Sequence, residues 1–217
     1  MSPSLLKRLI SGLVLSPFFV FIMVFGGLLL KFLLLIAFLI SLYEWFFLSK
    51  KTGYFIPVMI LGIIYMGVSY SSFYIVRETY SVNVLLLFIG MIWLSDIGAY
   101  FVGKAFGGAK LLPQISPNKT WAGFGGALIS PALFSIIWVL IFGFHPESDL
   151  SLPVIAVIGA VIGIVGQAGD LLISFVKRKA DVKDTGALIP GHGGLLDRID
   201  SMLLGAPVYM AIMFYVF

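Results

Sequence analysis

Five of the ten acidic residues of this chain fall between Gly169 and Ser201, together with five basic residues and His192. Asp170, Ser174, Lys177 and Arg178 are spaced by three or four, which on a continuing helix sets a carboxylate, a hydroxyl and two cations in one stripe. A second cluster, His192-Gly193-Gly194-Leu195-Leu196-Asp197-Arg198-Ile199-Asp200, puts Asp197 and Asp200 on one face at the start of another helix. Three carboxylates meeting near cations suit Mg²⁺, which takes oxygen ligands and is usually held by one or two carboxylates plus substrate phosphates. Lys and Arg would hold the phosphate oxygens that the metal leaves free. Gly186, Gly191, Gly193 and Gly194 let backbone approach a phosphate closely or turn through positive φ. The bland alternative is a basic loop touching lipid headgroups, its aspartates solvated in ion pairs.

A second group of candidates lies upstream. Asp96 sits inside an apolar run, where an acid costs roughly 2.5–3.5 kcal/mol on insertion scales and should face a polar interior. Pairing with a cation such as Lys119, to fix helix packing, would also explain it. In Ile115-Ser116-Pro117-Asn118-Lys119-Thr120-Trp121, proline in a polar cluster ahead of an apolar run predicts a helix start. Ser116, Lys119 and Thr120 would then add donors to an anion site at the helix N-terminus, or serve only as an N-cap with a topology-setting lysine. His192, between glycines in a polar loop, has no core to satisfy and suits a hydrogen bond to phosphate or sugar better than a structural role. Gly103 and Gly107 suggest close helix packing or loop flexibility. Glu44, His145, Glu147 and Asp149 read as interfacial or loop residues with no assigned role.

The elements that must position these groups are membrane helices. Of 217 residues, 60% are hydrophobic and 11% charged, against about 25% charged in soluble domains. Seven apolar runs stand out, at about 9–25, 28–48, 54–76, 82–103, 121–144, 152–173 and 202–217, most near the roughly 20 residues a bilayer requires. The expected fold is an all-α polytopic membrane protein of about seven transmembrane helices. It forms one integral membrane domain over 1–217, with N-terminal helices to about 80 and a catalytic part over about 82–217. Lys7 and Arg8 before the first run look like a signal peptide, but no small-residue cleavage pattern follows, so the run reads as a retained helix.

A cytoplasmic N-terminus places Lys7, Arg8, Lys50, Lys51, Lys104, Lys110, Lys119, Lys177, Arg178, Lys179, Lys183 and Arg198 on the cytoplasmic side and leaves Lys31 and Arg77 outside. The polar connections at about 104–120 and 174–201 then share the face that meets cytoplasmic nucleotides. The net charge of +4 marks topology rather than nucleic-acid binding, because the cations sit between apolar runs. Cysteine is absent, which removes thiolate metal sites. A transporter lined by Asp96 and Asp170 is disfavoured because the first three runs hold almost no polar residues.

Ser174-Phe175-Val176-Lys177-Arg178, Lys183-Asp184 and Pro190-Gly191-His192-Gly193-Gly194-Leu195-Leu196-Asp197-Arg198-Ile199-Asp200 resemble the signature of the phosphatidate cytidylyltransferases, the CDP-diacylglycerol synthases. The Asp-Ile-Gly-Ala-Tyr-Phe and Ser-Pro-Asn-Lys-Thr-Trp elements between Ser95 and Gly126 are also similar to that family. The resemblance implies transfer of CMP from CTP to phosphatidic acid in the inner cell membrane, with Mg²⁺ and a K⁺ ion beside it. A homodimer is compatible with it. On that basis Asp170, Asp197 and Asp200 hold Mg²⁺, while Lys177, Arg178, Lys183 and Arg198 neutralise phosphates. Asp184 is a further ligand or orients a lysine, and Asp96, Ser116, Lys119, Thr120, Ser174, Gly193 and Gly194 contact substrate. Two departures stand out: Ala122 where many members carry Glu or Gln, and an N-terminal half that is short against typical members. CTP-dependent lipid kinases and CDP-archaeol synthases share the nucleotide chemistry and differ in what is transferred or in the acceptor.

Overall fold

The computed structural model describes residues 17–144, 150–188 and 193–217. Helix α1 covers residues 17–25 within that range, and breaks at Gly26 and Gly27, both at positive φ. The helices α2 (Gly27–Lys51), α3 (Phe55–Thr79), α4 (Val82–Phe106), α5 (Trp121–Phe142), α6 (Leu152–Lys179) and α7 (Leu196–Val216) follow. Each of these six is long and apolar enough to cross a bilayer, since 21 to 28 residues at 1.5 Å per residue reach roughly 30–40 Å. The expected all-α multi-pass architecture is therefore the one found.

Apolar side chains clothe the outside, Phe32, Ile60, Ile97, Leu133 and Val157 among them. In lipid that exposure drives no association, so helices meet where backbones approach closely. At the α4–α5 crossing, a Cβ on Gly126 would lie 2.5 Å from the Gly98 carbonyl oxygen, and one on Gly98 would lie 2.7 Å from that of Gly126. Alanine at either site would force the helices apart. Tyr209, Phe88 and Leu203 fill the core where α7 crosses α3 and α4.

Up-and-down threading sends the C-terminal ends of α2, α4 and α6 to the same end of the bundle as the N-terminal ends of α5 and α7. Polar residues close the opposite end. Asn83 donates to the carbonyls of Gly143 and Phe144 and accepts from Trp138 Nε1, while Arg77 donates to the Met23 and Val24 carbonyls, capping α1.

The Ser116–Thr120 segment departs from expectation. It forms strand β2, paired antiparallel with β1 (Lys110–Leu112), and α5 begins only at Trp121. Proline fixes φ at a value that extended backbone also uses, and the Trp121 N–H is taken by the Ala109 carbonyl at 3.0 Å. Thr120 is the N-cap, its hydroxyl accepting from the Gly123 N–H at 3.1 Å. The expected helix start at Pro117 is thus a hairpin strand, and Thr120 Oγ1 is engaged with α5 itself. Gly103 packs on Gly123 with no Cβ between them, and Gly107 ends α4 at φ +60°.

Candidate active site

The helix ends and the hairpin enclose a cavity of about 620 Å³. From α4 come Asp96, Tyr100, Gly103 and Lys104; from β2, Asn118, Lys119 and Thr120; from α6, Gln167, Asp170 and Lys177; from the following loop, Asp184; and from α7, Asp197, Arg198, Asp200 and Ser201. Residues separated by more than 100 positions in sequence therefore share one polar volume in an otherwise apolar molecule.

Of the expected α6 stripe, Asp170 and Lys177 line the cavity and Ser174 donates to Asp170 Oδ1 at 3.1 Å, whereas Arg178 turns away from it. Lys119 Nζ lies 2.7 Å from Asp170 Oδ2 and donates to Gln167 Oε1 at 2.8 Å. Gln167 in turn donates to Asp96 Oδ1 at 3.0 Å. Asp96 thus reaches Lys119 through an intervening amide. The carboxylates of Asp96, Asp170 and Asp200 line the same cavity.

Asp197 is held differently. Its Oδ1 accepts from Lys177 Nζ at 2.7 Å, and its Oδ2 accepts from the backbone N–H groups of Thr185 and Gly194 at 2.8 and 3.1 Å. The Thr185 hydroxyl lies 3.1 Å from the same oxygen. Such a carboxylate braces Thr185 and Gly194 against Lys177 of α6. Among the described residues no group of three or more Asp, Glu or His is disposed to enclose a metal ion. Asp170, Asp197 and Asp200 line one cavity without forming a closed cage, because Asp197 is turned toward its donors. The donor set nevertheless fits a hard cation held by one or two carboxylates and completed by phosphate oxygens. Asp170 and Asp200 both line the cavity, Asp170 paired with Lys119 and Asp200 accepting from the Ser201 N–H.

Other expected residues are spread around this centre. Arg178 donates through Nε to the Ile115 carbonyl at 3.1 Å and through a terminal nitrogen to that of Val182 at 3.2 Å, which ties the hairpin tip to the end of α6. Ser116, Arg178 and Lys183 are not among the residues lining the cavity. Gly193, at φ +87°, packs against Asp184 and Asp197. His192 and Gly191 lie outside the described residues, as do His145, Glu147, Asp149, Lys7 and Arg8.

Glu44 corrects the sequence reading, which assigned it no role. It is buried, and its carboxylate accepts from the Leu195 and Leu196 N–H groups and from the Thr185 hydroxyl. The signal was there, because Glu44 lies in an apolar run as Asp96 does, and the same insertion cost applies to both. Gln167, an amide within the sixth run, carried a weaker signal.

A helical multi-pass membrane protein with one polar cavity, lined by both acidic and basic side chains, at one end of its bundle is the class that this fold and site define. Residues 53–216 match the model of the cytidylyltransferase family. The chain is similar to phosphatidate cytidylyltransferase of Rickettsia felis, 35% identical across 93% of this chain and 88% of that one, and of Rickettsia typhi, 37% across 96% and 91%. The Bacillus subtilis enzyme of the same name is 40% identical over 68% of this chain and 54% of its own length. The chain belongs to the cytidylyltransferase family. The chain spans most of the length of the rickettsial relatives and about half of that of the Bacillus subtilis one.

Proposed function

We propose that the chain is a phosphatidate cytidylyltransferase, moving CMP from CTP to phosphatidate to give CDP-diacylglycerol and pyrophosphate in phospholipid synthesis. The observation that carries the reading is the 620 Å³ cavity, in which Lys119, Lys177 and Arg198 face Asp96, Asp170 and Asp200 at one end of a membrane bundle, in a chain of this family. A lipid phosphate at headgroup depth and a nucleotide from the aqueous phase can both reach such a cavity.

An oxygen of the phosphatidate phosphate attacks the α-phosphorus of CTP. The new P–O bond forms as the bond from the α-phosphorus to the oxygen bridging it to the β-phosphorus breaks, and pyrophosphate leaves with that electron pair. Displacement of this kind demands alignment and charge neutralisation more than covalent help. Lys119 and Arg198 bind phosphate oxygens and orient the triphosphate. Lys177 adds positive charge while holding Asp197 in place. Arg178 and Lys183 stand further out, where they favour entry of the anionic substrates. Mg²⁺, when held by Asp170 and Asp200, supplies further neutralisation of the phosphates.

The basic residues support a cytoplasmic placement of this end, because Lys50, Lys51, Lys104, Lys110, Lys119, Lys177, Arg178, Lys179, Lys183 and Arg198 lie toward the cavity, while Lys31 and Arg77 lie at the other end. That orientation puts CTP on the correct side of the inner membrane. Mass spectrometry of lipids after incubation with CTP, Mg²⁺ and a lipid mixture tests the acceptor. A CDP-diacylglycerol ion that depends on phosphatidate supports the reading, and a CDP adduct of another lipid replaces it. Parallel arms with EDTA, and with Na⁺ in place of K⁺, test the two expected cations. Activity should vanish in the first and return with added Mg²⁺.

A further inference from the structure

Glu44 belongs to α2 and does not line the catalytic cavity, yet it meets the loop and helix that carry the signature aspartate. The Leu195 N–H donates to its Oε1 at 2.8 Å and the Leu196 N–H to its Oε2 at 2.9 Å. These are among the first amides of α7, which has no side-chain cap of its own at Leu195. Such amides lack partners within the helix, and they carry the positive end of its dipole. A carboxylate from another helix thus acts as the missing cap. The Thr185 hydroxyl, 141 residues away in the chain, lies 2.9 Å from Glu44 Oε2 and 3.1 Å from Asp197 Oδ2, so one proton serves two carboxylates.

The surrounding glycines are shaped to this contact. A Cβ at Gly194 would stand 2.5 Å from Glu44 Oε2, and one at Gly186 would stand 2.9 Å from Oε1. Gly186 and Gly194 approach the carboxylate this closely only because neither has a side chain. Arg198 and Asp200 follow within the first turn of α7, so the point that fixes Leu195 and Leu196 also fixes their direction into the cavity.

We propose that Glu44 is a positioning residue for the transfer reaction, clamping Thr185 to Leu195, Leu196 and the first turn of α7 so that Asp197, Arg198 and Asp200 face the substrates. The catalytic consequence rests on the cytidylyltransferase reading, but the clamp itself does not. Glutamine fits the space but presents an amide group to donors, leaving at least one N–H without an acceptor.

The test uses the full chain in detergent with Glu44→Gln and, as a milder probe, Thr185→Val. Two quantities are read: kcat with CTP and phosphatidate, and the rate of limited trypsin cleavage after Lys183, which is exposed beside the loop. Cleavage after Lys110, in the hairpin, is the internal reference. Glu44→Gln should lower kcat at least tenfold and raise cleavage after Lys183 at least tenfold with Lys110 unchanged, and Thr185→Val should shift both in the same direction by less. Unchanged cleavage after Lys183 in Glu44→Gln overturns the clamp. Lys183 and Lys110 becoming sensitive together also overturns it, in favour of a general stabilising role. Selective loop opening with unchanged kcat overturns the positioning role. Because cleavage needs no substrate, a wrong assignment of the reaction would leave the loop result standing.

Discussion

Lys119 with Asp170 and Lys177 with Asp197 form two ion pairs of the same length, 2.7 Å, within one cavity. The side chains of the first pair keep 19% and 29% of their exposure, those of the second 10% and 5%. Lys119 and Asp170 face the open volume, each with one further side-chain partner, Gln167 and Ser174. Asp197 instead satisfies two backbone amides, a threonine hydroxyl and a lysine at once. An exposed pair can be opened by an incoming phosphate or cation at little cost, because water already screens it. A buried pair cannot, because removing either partner strands a charge. Identical distances therefore denote different settings: the first pair borders the open volume, and the second ties Thr185 and Gly194 to α6.

The sharpest way to break this contrast is Asp197→Ala. It leaves the Lys177 ammonium buried without a partner and should cost about 3–5 kcal/mol, lowering the melting midpoint by roughly 10 °C and abolishing activity. Thermal melting followed by size-exclusion chromatography checks it. Asp170→Asn should leave melting within a few degrees of wild type while lowering kcat/KM by about 10²–10³-fold, the scale of losing one charge-stabilising group. If it melts as early as Asp197→Ala, the two pairs are alike after all. Lys119→Met should lower kcat/KM by roughly tenfold to a hundredfold, the loss of about 1.4–2.7 kcal/mol of transition-state stabilisation, with the fold intact. Arg178→Gln, which loosens the hairpin tip from α6, should reduce activity by no more than about tenfold, about 1.4 kcal/mol for one charge-assisted contact. Steady-state kinetics with varied CTP distinguishes these last two.

The membrane helices were legible because a bilayer demands long apolar runs, and the runs at about 28–48, 54–76 and 152–173 fall on α2, α3 and α6. The ends were less so. The last run was read from about 202, whereas α7 starts at Leu196, because Asp197, Arg198 and Asp200 interrupt the apolar pattern although their backbone is helical. The same holds for α6, which continues to Lys179 through three basic residues. The hairpin was hidden because Pro117 and Asn118 suit a helix start as well as an extended strand, and only pairing with Lys110–Leu112 decides between them. Within the site, helical spacing found Asp170, Ser174 and Lys177. It could not reveal that Glu44 meets Leu195, a contact spanning 151 positions that only tertiary packing creates.

The most direct test of the central claim places the purified protein in phosphatidate-containing liposomes with Mg²⁺ and supplies CTP labelled at either the α- or the γ-phosphate. A cytidylyltransferase carries the α-label into lipid and leaves the γ-label in pyrophosphate. Appearance of the γ-label in lipid would instead mean phosphorylation, and would contradict the assignment.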